Sequence, residues 1–420
     1  MLWVSTLYRA PAPRTGKGRR PHAGGLYPEL EVFGFHQGKS AALVSLLARR
    51  ATLMPSFELA RQELARCGLK LNIKVIQGST HGLARQLLIA RRFDLERYRK
   101  GQMPAGTALA GKRLVVQLDG GRIRLRKVTR KQKGKGKNKK QKRRYQGQWR
   151  EPKLLTIYVI DANGRMDRHS RAWIDGTFAG PDETMEVLAM HLHRLGAAAA
   201  ERVVFVSDGA PWIWERLPWV IGRVGLEGTK VAYALDWCHA VHHVGLALAA
   251  VRLPADEHRR LFQKLRRWLK QGKTPKVLNE LERLGEEHGV LEAMATPMAY
   301  LDKHWEAGHL DYACLKRRGL PIGSGAIESA IRRVINLRLK GNGLMWCEGN
   351  AEGMLLLRAA ALTGRWEEAL AQALQSRCRD GRQDWHWASP DMLFQLKAQV
   401  PISPPVPQVH TTTEDRRIPA

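Results

Sequence analysis

The segment from Gly319 to Trp346 reads Gly-Leu-Pro-Ile-Gly-Ser-Gly-Ala-Ile-Glu-Ser-Ala-Ile-Arg-Arg-Val-Ile-Asn-Leu-Arg-Leu-Lys-Gly-Asn-Gly-Leu-Met-Trp. Its start, rich in Pro and Gly, predicts a turn, and Ser324 is a candidate cap for the helix that follows. Apolar residues then recur at helical spacing and are expected to face a core. These residues are Ile327, Ile331, Val334, Ile335 and Leu339.

Glu328 falls in the first turn of this helix, where the positive end of the helix dipole favours a carboxylate. Four cations follow on a largely polar face: Arg332, Arg333, Arg338 and Lys340. Taken alone, this pattern indicates an acidic helix start followed by a solvated basic face. Two other acidic positions, at the ends of predicted strands, favour a functional interpretation.

The composition indicates a folded protein with a polyanionic partner. The chain has 420 residues, of which 44% are hydrophobic, and its formal net charge is +31. This length suffices for two or three domains with a real core. A charge of this size indicates nucleic acid first and an anionic membrane surface second. No apolar run is long enough to span a bilayer, and the N-terminus lacks the apolar core of a secretion signal.

The five cysteines are odd in number and scattered, and no Cys-x-x-Cys pair occurs. This pattern argues against a disulfide scaffold and against a Cys-rich zinc module. It suits a reducing compartment. Together with the basic charge, it predicts a cytoplasmic, nucleoid-associated protein without membrane contact.

The N-terminal part divides into two predicted regions. Residues 1–38 mix Pro, Gly and Arg, and we expect them to be basic and flexible. Residues 39–105 follow a helical pattern in which Ser56 and Ser79 are candidate caps and Gly68 is a helix stop. Short basic helices joined by tight turns suit a helix-turn-helix-like DNA-binding region. A plain helical packing domain explains the same pattern equally well.

Residues 106–253 predict the α/β core, a mixed sheet flanked by helices. The apolar and alternating runs that indicate strands are 113–119, 123–128, 154–160, 202–208 and 231–235, with residues 170–174 as a hairpin partner of the third. Asp182 is a candidate cap for an amphipathic helix that follows. The 202–208 run has the composition of a strand buried on both faces.

A basic loop is predicted at residues 129–150, because Lys and Arg dominate residues 130–144 and cannot form a core. It is either a solubilising tract or an arm that contacts phosphates, and its single sign of charge favours the arm. The candidate DNA-binding residues are Arg130, Lys131, Lys139, Lys140, Arg143 and Arg144, together with Arg332, Arg333, Arg338, Lys340 and Trp346.

The C-terminal half is predicted to be mainly helical. Residues 254–316 are charged and helical and have the character of an insertion. Residues 317–376 hold the helix with Glu328 and two further amphipathic helices. The Pro-rich residues 389–420 predict a disordered tail.

Asp119 lies on the first predicted strand, and Asp208 ends the 202–208 strand. Functional groups of α/β sheets gather at the carboxyl ends of neighbouring strands. If these two strands are neighbours, their aspartates can meet there, and a helix packed across that edge could bring in Glu328.

Three carboxylates in one place repel each other unless a cation neutralises them. Hard oxygen ligands suit Mg²⁺ or Mn²⁺. Two such ions about 4 Å apart stabilise both the attacking and the leaving oxygen in phosphoryl displacement. The predicted site therefore has Asp119 bridging two ions, with Asp208 and Glu328 holding one each.

Asp236 and His239 are three residues apart, hence on one face of a helix. On spacing alone, His239 is more often a satisfied structural histidine. A catalytic or metal-binding role is the alternative.

Several stretches resemble bacterial insertion-sequence transposases of the DDE type, most like the ISKra-like group and similar in style to Mutator-like enzymes. The resemblance spans roughly residues 25–374, and its C-terminal motif is specific. The matching stretches are Val115–Gly121, Trp149–Lys153, Val206–Ala210, Asp236–His239, Pro321–Ser329 and Arg338–Trp346.

The resemblance implies an RNase H-like catalytic domain with Asp119, Asp208 and Glu328 as the triad, and Asp236 and His239 in its neighbourhood. It also implies binding of double-stranded DNA, at terminal inverted repeats and at a target, by a homodimer or larger assembly. Two alternatives remain open. One is a basic DNA-binding protein with a repurposed nuclease fold, and the other is an RNase H-like nuclease without strand transfer.

Overall fold

The structure, a computed structural model, describes residues 39–131, 143–341 and 343–383. The chain divides into two units, residues 1–374 and 375–420, and only the end of the last helix is described in the second. The expectations for residues 1–38 and 389–420 lie outside the described residues. None of the described helices is long and apolar enough to cross a bilayer.

In the described part of the chain, seven strands form two sheets. The strands are β1 (Arg113–Gly120), β2 (Ile123–Lys131), β3 (Arg143–Arg150), β4 (Lys153–Ile160), β5 (Trp173–Thr177), β6 (Arg202–Ser207) and β7 (Val231–Leu235). Five of them form a mixed sheet in the order β5-β4-β1-β6-β7. Within it β1 pairs antiparallel with β4 and parallel with β6, and β6 pairs parallel with β7.

The helices follow the α/β pattern that the sequence predicts. They are α1 (Ala41–Leu53), α2 (Phe57–Arg66), α3 (Ile73–Arg99), α4 (Pro181–Leu195), α5 (Pro211–Trp214), α6 (Leu217–Val224), α7 (Trp237–Ala250), α8 (Ala255–Lys270), α9 (Thr274–Glu287), α10 (Leu291–Glu306), α11 (Tyr312–Arg317), α12 (Gly325–Ala330), α13 (Leu337–Leu339), α14 (Glu348–Leu362) and α15 (Trp366–Gln383). A π-helical turn, Ile331–Asn336, joins α12 to α13.

The centre of the sheet is covered on both faces. Leu114 and Val116 of β1 pack in one hydrophobic cluster with α4, whereas Val115 packs in a second cluster on the opposite face. Strand β6 divides its side chains in the same way, because Phe205 faces the first cluster and Val206 the second. The prediction of a strand buried on both faces is therefore confirmed, as is a mixed α/β sheet flanked by helices.

The predicted insertion, residues 254–316, forms α8 to α11. Its helices share the second cluster with the sheet, where Leu265, Leu281 and Leu301 are buried with Val206 and Ala234. The segment therefore extends the core across one face of the sheet.

Residues 39–105 form three helices, the last of which is longer than the short helices that the sequence predicts. Ser56 caps α2, since its hydroxyl accepts a hydrogen bond from the Leu59 amide at 3.0 Å, and Gly68 follows α2 with a left-handed φ of 86°. Ser79, predicted as a cap, instead lies inside the 27-residue α3. Asn72 caps that helix by accepting a hydrogen bond from the Lys74 amide at 2.9 Å.

The predicted basic loop is partly a strand. Residues 143–150 form β3 and pair antiparallel with β2 in a separate two-stranded ribbon, while residues 132–142 lie outside the described ones. Apolar residues alternate with arginines at the start of β2, which gives the ribbon one apolar and one basic face. Ile123 and Leu125 point inward and are buried in a cluster with Trp346, which leaves the intervening arginines on the other face.

A buried network of charges ties the N-terminal region to the sheet edge. Arg91 of α3 donates to Asp175 of β5 at 3.1 Å and also to Glu352 of α14. His191 of α4 lies 2.7 Å from Asp175 through Nε2, and its Nδ1 lies 3.1 Å from Arg194. Burial lowers the pKa of His191 to about 4. The neutral ring therefore accepts from Arg194 at Nδ1 and donates to Asp175 at Nε2.

Burial alone would raise the pKa of Asp175, but Arg91 and His191 outweigh it and lower the pKa to about 2. Replacing Asp175 with Asn should therefore reduce the free energy of unfolding at pH 7 by about 3–5 kcal/mol, because Arg91 keeps its buried charge and loses one partner. Urea denaturation measures the loss.

Asp182→Asn is the matched control, since Asp182 also pairs with an arginine, Arg216 at 2.5 Å, but its side chain is 86% exposed. It should cost less than about 1 kcal/mol. Equal losses in the two variants would contradict a stabilising role for the buried network.

Candidate active site

The register of β1 and β6 places Asp119 beside Asp208. Each paired residue of β1 faces the residue 89 positions later in β6, and the two aspartates are separated by the same 89 positions. One step earlier, the Ser207 hydroxyl donates a hydrogen bond to the Leu118 carbonyl at 2.8 Å. Both carboxylates therefore lie at the carboxyl ends of neighbouring parallel strands, where the sequence analysis expected them.

A third aspartate continues the row. Asp236 directly follows β7, the parallel neighbour of β6, and its backbone amide donates to the Ser207 carbonyl at 2.8 Å. Three consecutive parallel strands thus end in Asp119, Asp208 and Asp236.

Gln117 brings Glu328 to this edge. Its side chain is fully buried on β1, two residues before Asp119. The Gln117 Oε1 accepts from the Ile327 amide at 2.9 Å, and its Nε2 donates to the Gly323 carbonyl at 3.0 Å. These bonds attach the start of α12 to the central strand, one residue from Glu328.

Asp236 holds the same turn from a second strand. Its Oδ1 accepts from the Ser324 amide at 2.6 Å. The Ser324 hydroxyl then donates to Glu328 Oε1 at 2.8 Å. Ser324 is the first residue before α12, as predicted, but its side chain binds Glu328 rather than capping the backbone.

The electrostatics of Asp119 show that the predicted residues interact. Burial raises the pKa of Asp119 to about 6. The Gly120 amide lowers that pKa, while the nearby carboxylates of Asp208 and Glu328 raise it further and His239 opposes them. The structure therefore brings Asp119, Asp208 and Glu328 into one electrostatic group, with His239 beside it.

Asp236 and His239 form a pair with different exposures. Asp236 is completely buried, whereas the His239 side chain is 46% exposed. Burial would raise the pKa of Asp236, but hydrogen bonds from His239 and Ser324 lower it to about 2. His239 Nδ1 lies 2.9 Å from Asp236 Oδ2, and this hydrogen bond raises the pKa of His239. The negative charges of Asp236, Asp208 and Asp119 raise that pKa further. Asp236 is thus a positioning residue, and His239 is the solvent-facing member.

Three residues that contact the elements of the site were not assigned to it from the sequence: Gln117, Trp214 and Tyr300. Trp214 donates from its indole to the Asp208 carbonyl at 2.6 Å. Tyr300 of α10 packs so close to Gly209 that an added Cβ would overlap its hydroxyl. The Gly after Asp208 was the available signal for such an approach. Nothing in the sequence indicated Tyr300, because it lies 92 positions after Asp208 in the chain.

The predicted DNA-binding residues have different locations. Arg332, Arg333 and Lys340 are exposed. Arg338 and Trp346 are buried, which corrects their assignment to a DNA-facing surface. The Arg338 guanidinium lies 4.8 Å from the Phe57 ring and 5.1 Å from the Trp346 ring. Lys139 and Lys140, and the side chains of Arg130, Lys131, Arg143 and Arg144, lie outside the described part of the structure.

The donor set suits a hard divalent cation in its chemistry. Two Asp and one Glu supply oxygen ligands of the kind that Mg²⁺ or Mn²⁺ prefers. A cation would also offset the repulsion that disfavours ionised Asp119. Among the described residues, no three His, Cys, Asp or Glu side chains are already arranged around a common metal position. The three carboxylates would therefore have to draw closer around a bound ion.

Comparison with known proteins finds a protein that is similar to part of this chain. A UPF0236 protein from Caldanaerobacter subterraneus subsp. tengcongensis is 27% identical over 164 residues, which are 39% of this chain. The matched segment is 32% of the relative's own length, and the relative's name states no activity. No family model matches the chain, and no solved structure matches it.

Removing the Asp119 charge should stabilise the metal-free protein. The folded pKa of about 6 exceeds the ordinary value of 3.8, so stability present below about pH 4 is lost as the pH rises through 6. Asp119→Asn should raise the free energy of unfolding by about 1–2 kcal/mol at pH 7.5, a value discounted for partial exposure. At pH 4 it should leave that free energy almost unchanged. Urea denaturation in EDTA at both pH values tests this.

Asp256→Asn, at a carboxylate that is 89% exposed, should leave stability nearly unchanged at both pH values. A destabilised Asp119→Asn protein at pH 7.5 would contradict the repulsion described for this site.

Proposed function

We propose that this chain is a DDE-type transposase that binds the ends of a mobile element and catalyses cleavage and strand transfer of double-stranded DNA. The observation that carries the proposal is the electrostatic group of Asp119, Asp208 and Glu328 at the carboxyl edge of the sheet. A mixed five-stranded sheet with acidic residues after its central strands supports an RNase H-like catalytic domain.

The charge of the chain supports DNA as the substrate. Acidic residues converge at one edge of a protein whose formal net charge is +31. Arg332 and Arg333 are exposed within two turns of Glu328, and Lys340 follows. Phosphates held by such cations would place a phosphodiester near the carboxylates.

The side chains of the site divide the chemical work. Asp119, Asp208 and Glu328 would hold two Mg²⁺ or Mn²⁺ ions, which when bound supply Lewis-acid stabilisation of the attacking and leaving oxygens. Asp236 keeps His239 and the turn before Glu328 in place. The hydrogen bond to Asp236 raises the pKa of His239, which favours a protonated ring beside the aspartates.

Assembly is part of the proposal. Transposition joins two element ends, so a homodimer or a larger complex on DNA is expected from the family resemblance. Gel filtration with and without end DNA would report that state.

Single substitutions at the carboxylates test the proposed chemistry. Asp119→Asn, Asp208→Asn and Glu328→Gln should each lower Mg²⁺-dependent cleavage by roughly a hundredfold or more, since each removes a ligand contribution of several kcal/mol. Binding of the same DNA should change by less than about threefold, because no phosphate contact is lost. The assay uses a supercoiled plasmid that carries the DNA flanking the gene on both sides, with Asp256→Asn as the control.

The products distinguish the rival functions. Joined end–target products support a transposase. Cleavage without joining would overturn strand transfer in favour of a nuclease, and retardation of DNA without cleavage would leave a basic DNA-binding protein. Full cleavage by any of the three carboxylate variants would refute the assignment of the site.

A further inference from the structure

The outer face of the β2–β3 ribbon combines cations with exposed aromatic rings. Trp149 and Tyr145 are 47% and 44% exposed, unusually high fractions for such large rings. The register pairs Arg124 with Trp149 and Val128 with Tyr145. Since side chains alternate along a strand, Arg124, Trp149 and Tyr145 share one face. Arg122, just before β2, lies against the Trp149 ring of the same face. Ile123 and Leu125 occupy the other face, which is buried.

The arginines of this face lie against the rings. The Arg122 and Arg124 guanidinium groups are 5.2 and 5.8 Å from the Trp149 ring centre, and that of Arg126 is 5.5 Å from the Tyr145 ring centre. These cation–π contacts orient planar groups along the ribbon.

A small residue keeps this face open. At Gly147, between the two rings, a Cβ would lie 3.0 Å from Arg124 Nη2 and 3.1 Å from Met345 Sδ, so glycine leaves room for both side chains. The face thus consists of two exposed rings flanked by arginines.

The ribbon has a charge that fits a polyanion. Residues 122–131 and 143–150 contain nine Lys and Arg and no Asp or Glu. None of Arg122, Arg124 and Arg126 has an acidic partner within ion-pair distance among the described residues. Alternate residues of a strand are ~6.8 Å apart, a spacing that an extended polynucleotide can follow.

The ribbon is connected to the candidate active site at two places. Arg122 is three residues after Asp119. On the other side, the Arg126 amide donates to the Trp346 carbonyl at 2.8 Å, and the Trp346 amide donates to the Arg124 carbonyl at 3.1 Å. Trp346 follows the helical segment that carries Glu328. The ribbon therefore has a fixed position relative to both Asp119 and the Glu328 segment.

We infer that the ribbon face formed by Arg122, Arg124, Arg126, Tyr145 and Trp149 binds unpaired nucleotides of a DNA strand next to the carboxylates. The rings stack on bases, and the arginines contact the phosphates. Exposed rings need an open base face, which a paired duplex hides within its own stack, so the surface fits single-stranded or frayed DNA better than an intact duplex. This inference rests on the proposed function in taking DNA as the partner.

Binding of a fluorescein-labelled oligo-dT strand and of a labelled blunt-ended duplex without unpaired nucleotides to the full chain tests the inference. Anisotropy is measured in EDTA, so that no cleavage occurs. Trp149→Ala should weaken oligo-dT binding by roughly tenfold or more, as loss of one stacking platform does, while duplex affinity stays within about twofold. Trp149→Phe, which keeps a ring, should restore most of the affinity.

Trp219→Ala is the matched control, because Trp219 is also 47% exposed but lies on α6. It should leave oligo-dT binding unchanged. Arg122→Gln combined with Arg126→Gln should lower the slope of log K against log salt by roughly 1.4, at about 0.7 per phosphate contact in a single strand. Trp149→Ala should not change that slope.

The outcomes separate this inference from the proposed function. Equal effects of Trp149→Ala and Trp219→Ala, or equal weakening of strand and duplex binding by Trp149→Ala, would overturn the ribbon assignment whether or not the protein cleaves DNA. Selective loss of strand binding would support it even if the carboxylate variants showed no catalytic defect.

Discussion

The paired hydrogen bonds of Gln117 are the interaction on which the candidate site depends. A buried amide on the central strand satisfies one backbone donor and one backbone acceptor of the turn before α12. Without those two bonds, nothing on β1 would fix the position of Glu328 relative to Asp119. A buried polar side chain is tolerated there because its hydrogen-bonding groups are satisfied, by the backbone of that turn and by the Tyr158 hydroxyl at 3.3 Å.

Two aspartates of this region, Asp119 and Asp236, have pKa values that are shifted in opposite directions. Asp119 is disfavoured as an anion by burial and by its acidic neighbours. The opposite holds for Asp236, whose oxygens accept hydrogen bonds from His239 and Ser324. Two aspartates at the ends of nearby strands therefore have opposite pKa shifts, since one has its lone pairs satisfied and the other faces like charges. Such divergence is typical of sites where chemistry rather than stability determines the residues.

Much of the sheet was predictable because its strands are buried in ways that sequence reveals. The β6 strand is apolar on both faces, and the alternation in β2 separates arginines from Ile123 and Leu125. The β3 strand was missed because its arginines, glutamines and glycine have no apolar alternation, and its partner in the sheet is β2. Ser79 failed as a cap because the apolar stripe of α3 runs through it.

The support of the site was less predictable, since it depends on contacts between distant parts of the chain. Asp119, Asp208 and Glu328 were recognised through motif spacing and family resemblance. Gln117 was not assigned to the site, because the backbone groups that it binds before Glu328 lie about 210 positions further along the chain. Arg338 was interpreted as a surface cation because local sequence cannot reveal that Phe57, 281 positions earlier, lies against it.

The helical segment that carries Glu328 is restrained at both ends. Its first turn is fixed by β1 and by Asp236 after β7, and its π-helical turn is held by Arg358 of α14, which donates to the Arg333 and Val334 carbonyls. A sliding or tilting motion of this segment would break bonds to three separate elements at once. These bonds predefine the backbone around Glu328, which leaves the rotamer of its side chain as the freer variable.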